Sequence, residues 1–153
     1  VTDADAAPNC IELRCGRDAA AVSGVLDRLE AILAQAGCPP ASRASFLVVA
    51  EEMVTNVARY AWPVGVEPGA FIVAAAIRRA DDGIEVRLST EDDGVAFDPT
   101  AGVAPDTDAL LEDRPIGGLG IHLVRTMTIC QAYRREGGRN RFAVWWRCAA
   151  PPA

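Results

Sequence analysis

The amino-acid sequence predicts an α+β domain: a two-layer α/β sandwich in which three helices cover one face of a mixed, mainly antiparallel sheet of about five strands. Three observations lead there. The hydrophobic period switches along the chain in the order strand, helix, helix, two strands, a non-periodic stretch, helix, two strands. Two short turn signals, Asp81-Asp82-Gly83 and Gly137-Gly138, each sit between strand-like runs and mark antiparallel hairpins. The length of 153 residues suits one core, so residues 1–153 are read as a single domain.

Residues Ile11-Glu12-Leu13-Arg14-Cys15 alternate apolar and charged, as a strand with one buried face does. Asp18 then offers a helix cap, and Val22, Val25, Leu26, Leu29, Ile32 and Leu33 recur at spacings of three and four, predicting an amphipathic helix to about Ala36. Gly37 stops it and Pro39-Pro40 prevents its resumption. A second helix is expected from Ala41 or Ser42 to about Ala61, its apolar face carried by Phe46, Leu47, Ala50, Met53, Val54, Val57 and Ala58. Strands follow at Ala70 to Arg78 and Ile84 to Thr90. From Asp98 to Pro115 the chain holds three prolines and five acidic residues and has no clear period, so 98–116 is assigned as a lid. Ile121, Leu123, Val124 and Met127 restart a helical pattern, and Ala132 to Glu136 and Arg141 to Cys148 close the chain as strands. In the last of these, Trp145 and Trp146 must project to opposite faces, one into the core and one outward.

Composition excludes several classes of function. Fifteen basic against 21 acidic residues leave a net charge of −6, which disfavours nucleic-acid binding. The longest apolar run, Ala70 to Ile77, is far short of the ~20 residues that cross a bilayer. The first residues carry neither a basic start nor an apolar signal core, and a cytoplasmic location is expected. Five cysteines without a Cys-x-x-Cys pair and a single histidine indicate neither a disulfide framework nor a zinc site. All 15 basic residues are arginine. Without lysine, a Walker-type phosphate loop, the strand lysine of eukaryotic-type protein kinases and a pyridoxal Schiff base are all ruled out.

Three segments carry chemistry. On the second helix Glu52 and Asn56 stand four apart and share a face. A neutral amide oxygen suits magnesium, and a neighbouring carboxylate suits a general base; at this spacing alone the pair also describes a solvated helix face. After the third strand comes Glu91-Asp92-Asp93-Gly94-Val95-Ala96-Phe97-Asp98. Its Asp-x-Gly is compatible with a plain turn; functionally, Asp92 accepts the exocyclic amine of adenine, and Gly94 lets a base approach the backbone. Lastly Gly117-Gly118-Leu119-Gly120 opens a helix, where free N–H groups and the positive helix end favour an anion.

Taken together, these motifs resemble the GHKL ATPase superfamily, and within it the bacterial anti-sigma factor serine/threonine kinases, which are histidine-kinase-like ATPases. Val49-Ala50-Glu51-Glu52-Met53-Val54-Thr55-Asn56 resembles the N box. The first glycine box is matched by Glu91 to Asp98, 36 positions from Asn56 to Asp92, and the second by Arg114 to Arg125, with Gly117 a further 25 positions on. The layout extends from about Ile11 to Arg147. The resemblance implies ATP and Mg2+ as cofactors, Glu52 as general base, Asn56 as magnesium ligand and Asp92 as adenine reader. It places Gly94 beneath the base, and Gly117, Gly118, Leu119 and Gly120 along the phosphates.

It also implies an anti-anti-sigma (STAS-type) protein as phosphoacceptor and a sigma factor as a second partner, with neither nucleic acid nor membrane; a homodimer stays open. Two other readings of the same site are a nucleotide-gated binding module without phosphotransfer and a simple ATPase. Two features depart from the family pattern: Tyr60 stands where a histidine is common, and Ile129-Cys130 replaces an acidic pair. Arg114 and Arg125 are further candidates for phosphate contact. Arg134-Arg135 and Arg139 to Arg141 are read as solvated charges, and His122 as a packing or surface residue.

Overall fold

The computed structural model describes residues 9–67, 69–102 and 118–149. The elements are β1 (Asn9–Cys15), α1 (Ala19–Gln35), α2 (Pro40–Tyr60), β2 (Phe71–Ala80), β3 (Gly83–Asp92), α3 (Gly118–Met127), β4 (Cys130–Glu136) and β5 (Arg139–Ala149). They form one five-stranded sheet of order β1-β2-β3-β5-β4, antiparallel at every pairing. The mixed pairing expected from the sequence therefore reduces to its antiparallel part. Both strand pairs joined by two-residue loops are hairpins, and α3 lies between β3 and β4 in sequence while β5 inserts between them in the sheet.

Local sequence accounts for the boundaries. Asp18 caps α1 by accepting the Ala21 N–H at 2.9 Å, and Gly37, at φ 87°, takes the left-handed conformation that ends it. Helix α2 begins at Pro40, one residue before the expected start, because proline's fixed φ and missing N–H suit the first turn. Gly137 and Gly138 both have positive φ (58° and 75°), the geometry of a two-residue turn whose twist matches the flanking strands. Gly83 is needed for a different reason: a Cβ there would fall 2.0 Å from the carbonyl oxygen of Cys148 on β5.

The core lies between the helices and one face of the sheet. Strand β2 contributes Phe71, Val73, Ala75 and Ile77; α1 contributes Val22, Val25, Leu29 and Leu33; α2 contributes Phe46, Val49, Met53 and Val54. Strands β3 and β5 pair their inward residues directly, as Ile84 with Cys148, Val86 with Trp146, Leu88 with Val144 and Thr90 with Phe142. Trp146 is buried with its ring edge-on to Phe46 at 5.2 Å, and Trp145 points to the other face, where the Arg87 guanidinium lies 5.4 Å above its ring. The next inward pair in the same register is Asp92 with Asn140. The apolar row thus ends in two buried polar residues, and that end of the sandwich holds the site. Among the described residues no helix is long and apolar enough to cross a membrane.

Candidate functional site

A cavity of about 220 Å³ opens between α2, the end of β3, β5 and α3. Glu52 and Asn56 from α2 line it on one side, and Thr90 and Asp92 from β3 line it on the other. The four-residue spacing on α2 accounts for Glu52 and Asn56 facing the same way. Glu51, about 100° round the helix, is exposed. The period of two along β3 sends Asp92 inward with Thr90, Leu88 and Val86, and Asp92 is only 6% exposed.

A buried carboxylate is costly unless its oxygens are hydrogen-bonded. Oδ1 of Asp92 accepts two bonds, from the Gly94 N–H at 2.9 Å and from the Asn140 amide at 2.9 Å. Among the described residues Oδ2 accepts none, so a second acceptor edge is left for a ligand. The segment after β3 forms a wall of the cavity through Val95, Ala96 and Phe97. It is docked on α2 by the Val95 N–H, which donates to the Ala61 carbonyl at 2.7 Å. That contact is why residue 94 is glycine: a Cβ on Gly94 would fall 2.1 Å from the same carbonyl oxygen. Gly94 itself is not among the cavity-lining residues, and the close approach seen at it is to the end of α2.

Gly118, Leu119 and Gly120 form the first turn of α3, as the glycine-rich motif suggested. None of the three lines the cavity, to which α3 contributes Ile121 and Val124. Gly120 nevertheless meets the site, since a Cβ there would lie 2.0 Å from Oε2 of Glu52. The glycine therefore lets the α2 carboxylate sit against the first turn of α3. Gly117, Arg114 and lid residues 103–116 lie outside the described residues. Arg125 donates to the carbonyls of Gly102 (3.1 Å) and Thr100 (3.3 Å), so this arginine ties the described start of the 98–116 segment to α3.

Among the described residues no three histidine, cysteine or carboxylate side chains cluster as metal ligands. Mg2+ needs no such cluster: it takes one or two protein oxygens and completes its shell with water and substrate phosphates. The Asn56 amide oxygen and the Glu52 carboxylate, one helical turn apart on the cavity wall, are oxygen donors of that kind. Tyr60, at the position where a histidine was the expected pattern, lines the cavity and is 43% exposed. Ile129 and Cys130 are both exposed, and His122 is half-buried in α3.

Sequence reasoning missed Asn140, which is 6% exposed and lines the cavity. The signal was present: stepping back by twos from the buried Cys148 through Trp146, Val144 and Phe142 arrives at Asn140. The neighbouring arginines are also more engaged than solvated charges would be. Arg135 donates to Asn140 Oδ1 at 2.8 Å and to the Gly94 carbonyl at 3.1 Å. Arg139 and Arg141 pair with Glu91 at 3.2 Å and 2.9 Å.

Fold and site together define an α+β sandwich with an acid–amide helix facing a strand-end aspartate across one cavity. The family model described as "Histidine kinase-like ATPase domain" matches residues 16–146, and the chain belongs to that family. It is 28% identical over 102 residues to the serine/threonine-protein kinase BtrW of Bordetella bronchiseptica, covering 67% of this chain and 68% of that protein. Among solved structures it resembles that of the RsbU and RsbW domains of Rv1364c from Mycobacterium tuberculosis. There the TM-score is 0.64 at 17% identity over 93% of this chain, which spans 33% of the other. It also resembles the structure of the SiaB-SiaC complex from Pseudomonas aeruginosa, with TM-score 0.56 and 17% identity over 90% of this chain and 89% of that one. At these identities the structural likeness concerns the fold.

Proposed function

We propose that this chain is a cytoplasmic, ATP-binding anti-sigma regulatory protein with magnesium-dependent serine/threonine kinase activity towards an anti-anti-sigma partner. The observation that carries the reading is the convergence of Glu52, Asn56 and Asp92 on one cavity. The relative named a serine/threonine-protein kinase supports the reaction, and the neighbour solved as the SiaB-SiaC complex shows the same fold in a chain that pairs with another protein.

In this reading the unpartnered oxygen of Asp92 accepts the exocyclic amine of adenine, and Asn56 supplies the protein oxygen to Mg2+, which when bound neutralises phosphate charge. Gly118 to Gly120, in the first turn of α3, offer backbone N–H groups for the phosphates. Glu52 takes the proton of the partner's hydroxyl as that oxygen forms its bond to the γ-phosphorus; the bond from the γ-phosphorus to the bridging oxygen breaks and ADP leaves. Incubation with ATP, magnesium and the cognate anti-anti-sigma domain tests this. Labelled phosphoserine or phosphothreonine on the partner supports the kinase, and its absence with partner binding intact overturns it. Glu52→Gln separates the kinase from a nucleotide-gated binder: a kinase loses about 10²–10⁴-fold in transfer, whereas a gated binder keeps its partner regulation unchanged.

A further inference from the structure

Asn140 is one of three buried polar or charged side chains in the described part of the protein, the others being Thr90 and Asp92. Its amide is held at both ends. Oδ1 accepts the Tyr133 hydroxyl at 2.8 Å, the Arg135 guanidinium at 2.8 Å and the Phe97 N–H at 3.4 Å. The nitrogen donates to Asp92 Oδ1 at 2.9 Å and to the Val95 carbonyl at 2.8 Å. The orientation of the amide follows from chemistry: turned over, it would set an NH2 group against the Arg135 guanidinium and the Phe97 N–H, which can only donate, and its oxygen against a carboxylate and a carbonyl. Arg135, on the strand next to Asn140, therefore fixes which edge Asn140 shows to Asp92, and the Tyr133 hydroxyl adds a second bond from the same strand.

Resting on the kinase reading above, we infer that Asn140 is a positioning residue that sets purine specificity through Asp92, with Arg135 and Tyr133 as the clamp that orients it. Two consequences follow from one side chain. Asn140 and the Gly94 N–H together occupy Oδ1 of Asp92, which stops the carboxylate from turning and leaves Oδ2 alone as the acceptor towards the cavity. Asn140 also bonds the wall at Val95 and Phe97, so the reader and the wall against which a base lies are fixed by the same amide. Such a site favours a base with an amine at the purine 6-position and rejects one with a carbonyl there, because a fixed carboxylate oxygen would face another acceptor.

The test compares ATP with inosine triphosphate, which differ at that position, by calorimetric titration of wild-type protein, Asn140→Ala and Arg135→Ala. The wild type should prefer ATP, and Asn140→Ala should lose about tenfold in ATP affinity while inosine triphosphate changes by less than about threefold. Arg135→Ala should narrow the ATP preference in the same direction and by less. Because the Arg135 side chain is exposed, this variant carries the test even where Asn140→Ala does not fold. A folded Asn140→Ala that weakens both nucleotides equally, or neither, overturns the inference and leaves the kinase reading standing, as does an Arg135→Ala whose ATP preference matches the wild type when Asn140→Ala does not fold. A wild-type protein that binds neither nucleotide overturns both.

Discussion

Glu52 and Gly120 fit against one another only because residue 120 lacks a side chain: a Cβ there would stand 2.0 Å from Glu52 Oε2. The atom it would strike is the end of a flexible side chain, so the conflict is resolved by moving the carboxylate, not by breaking the fold. Alanine is also the better helix former, by about 0.8–1.0 kcal/mol. Gly120→Ala should therefore fold with unchanged or raised thermal stability and lose about tenfold or more in phosphotransfer. Paired melting and single-turnover measurements check this; a variant that keeps full transfer would remove the carboxylate's position from the mechanism.

Gly94→Ala should behave in the opposite way. Its Cβ would meet backbone atoms, the Ala61 oxygen at 2.1 Å and carbon at 2.6 Å, and these can yield only by parting the site wall from α2. A loss of about 3 kcal/mol is expected in chemical denaturation.

In the proposed function Asn56→Ala removes the protein oxygen offered to magnesium and leaves the Asp92 side of the cavity, assigned to adenine, intact. ATP should still raise the melting temperature, and the additional rise seen with magnesium in the wild type should vanish. Thermal-shift curves with and without the metal read this directly.

The cysteines give a chemical and a pH prediction. Cys10 and Cys130 are exposed, and Cys15, Cys38 and Cys148 are buried, with 3.4 Å between the sulfurs of Cys38 and Cys148. Burial, then the hydrogen bond with Cys148, pushes Cys38 from 9.0 up to about 12; burial, then the charge of Asp18, pushes Cys15 up to about 11. The folded protein should thus expose two thiols to a water-soluble reagent and the denatured protein all five. Because the folded thiols hold their protons more tightly, the stability they contribute is complete below pH 9.0 and declines as pH rises towards 11 and 12. Denaturation midpoints between pH 8 and 11 should fall, and less steeply in Cys38→Ala.

Much of this was legible from local chemistry. Asp18 announced a cap, Gly137-Gly138 a hairpin, and the spacing of Glu52 and Asn56 a shared face, because each depends on residues within one turn of chain. Asp92 was legible through its Asp-x-Gly motif, placed just after an expected strand end at Thr90, whereas β3 continues to Asp92 and its alternation turns that residue inward. Asn140 was not recognised because what makes it functional is its pairing with a strand 48 positions away, and because Arg139 and Arg141 on either side gave it the look of a surface run. Gly94 and Gly120 were assigned to ligand contact, whereas in the fold each also makes room for α2; close approach between distant segments leaves no periodic trace.

In the proposed function α2 and the end of β3 enclose one magnesium–nucleotide site. Backbone amide NMR of the labelled protein, titrated with ADP and magnesium, tests it most directly. Shifts should be concentrated at the cavity residues Asn56, Thr90, Asp92, Val95, Phe97 and Asn140. Saturable binding that instead perturbs the Arg87–Trp145 face of the sheet and leaves those residues unmoved would contradict it.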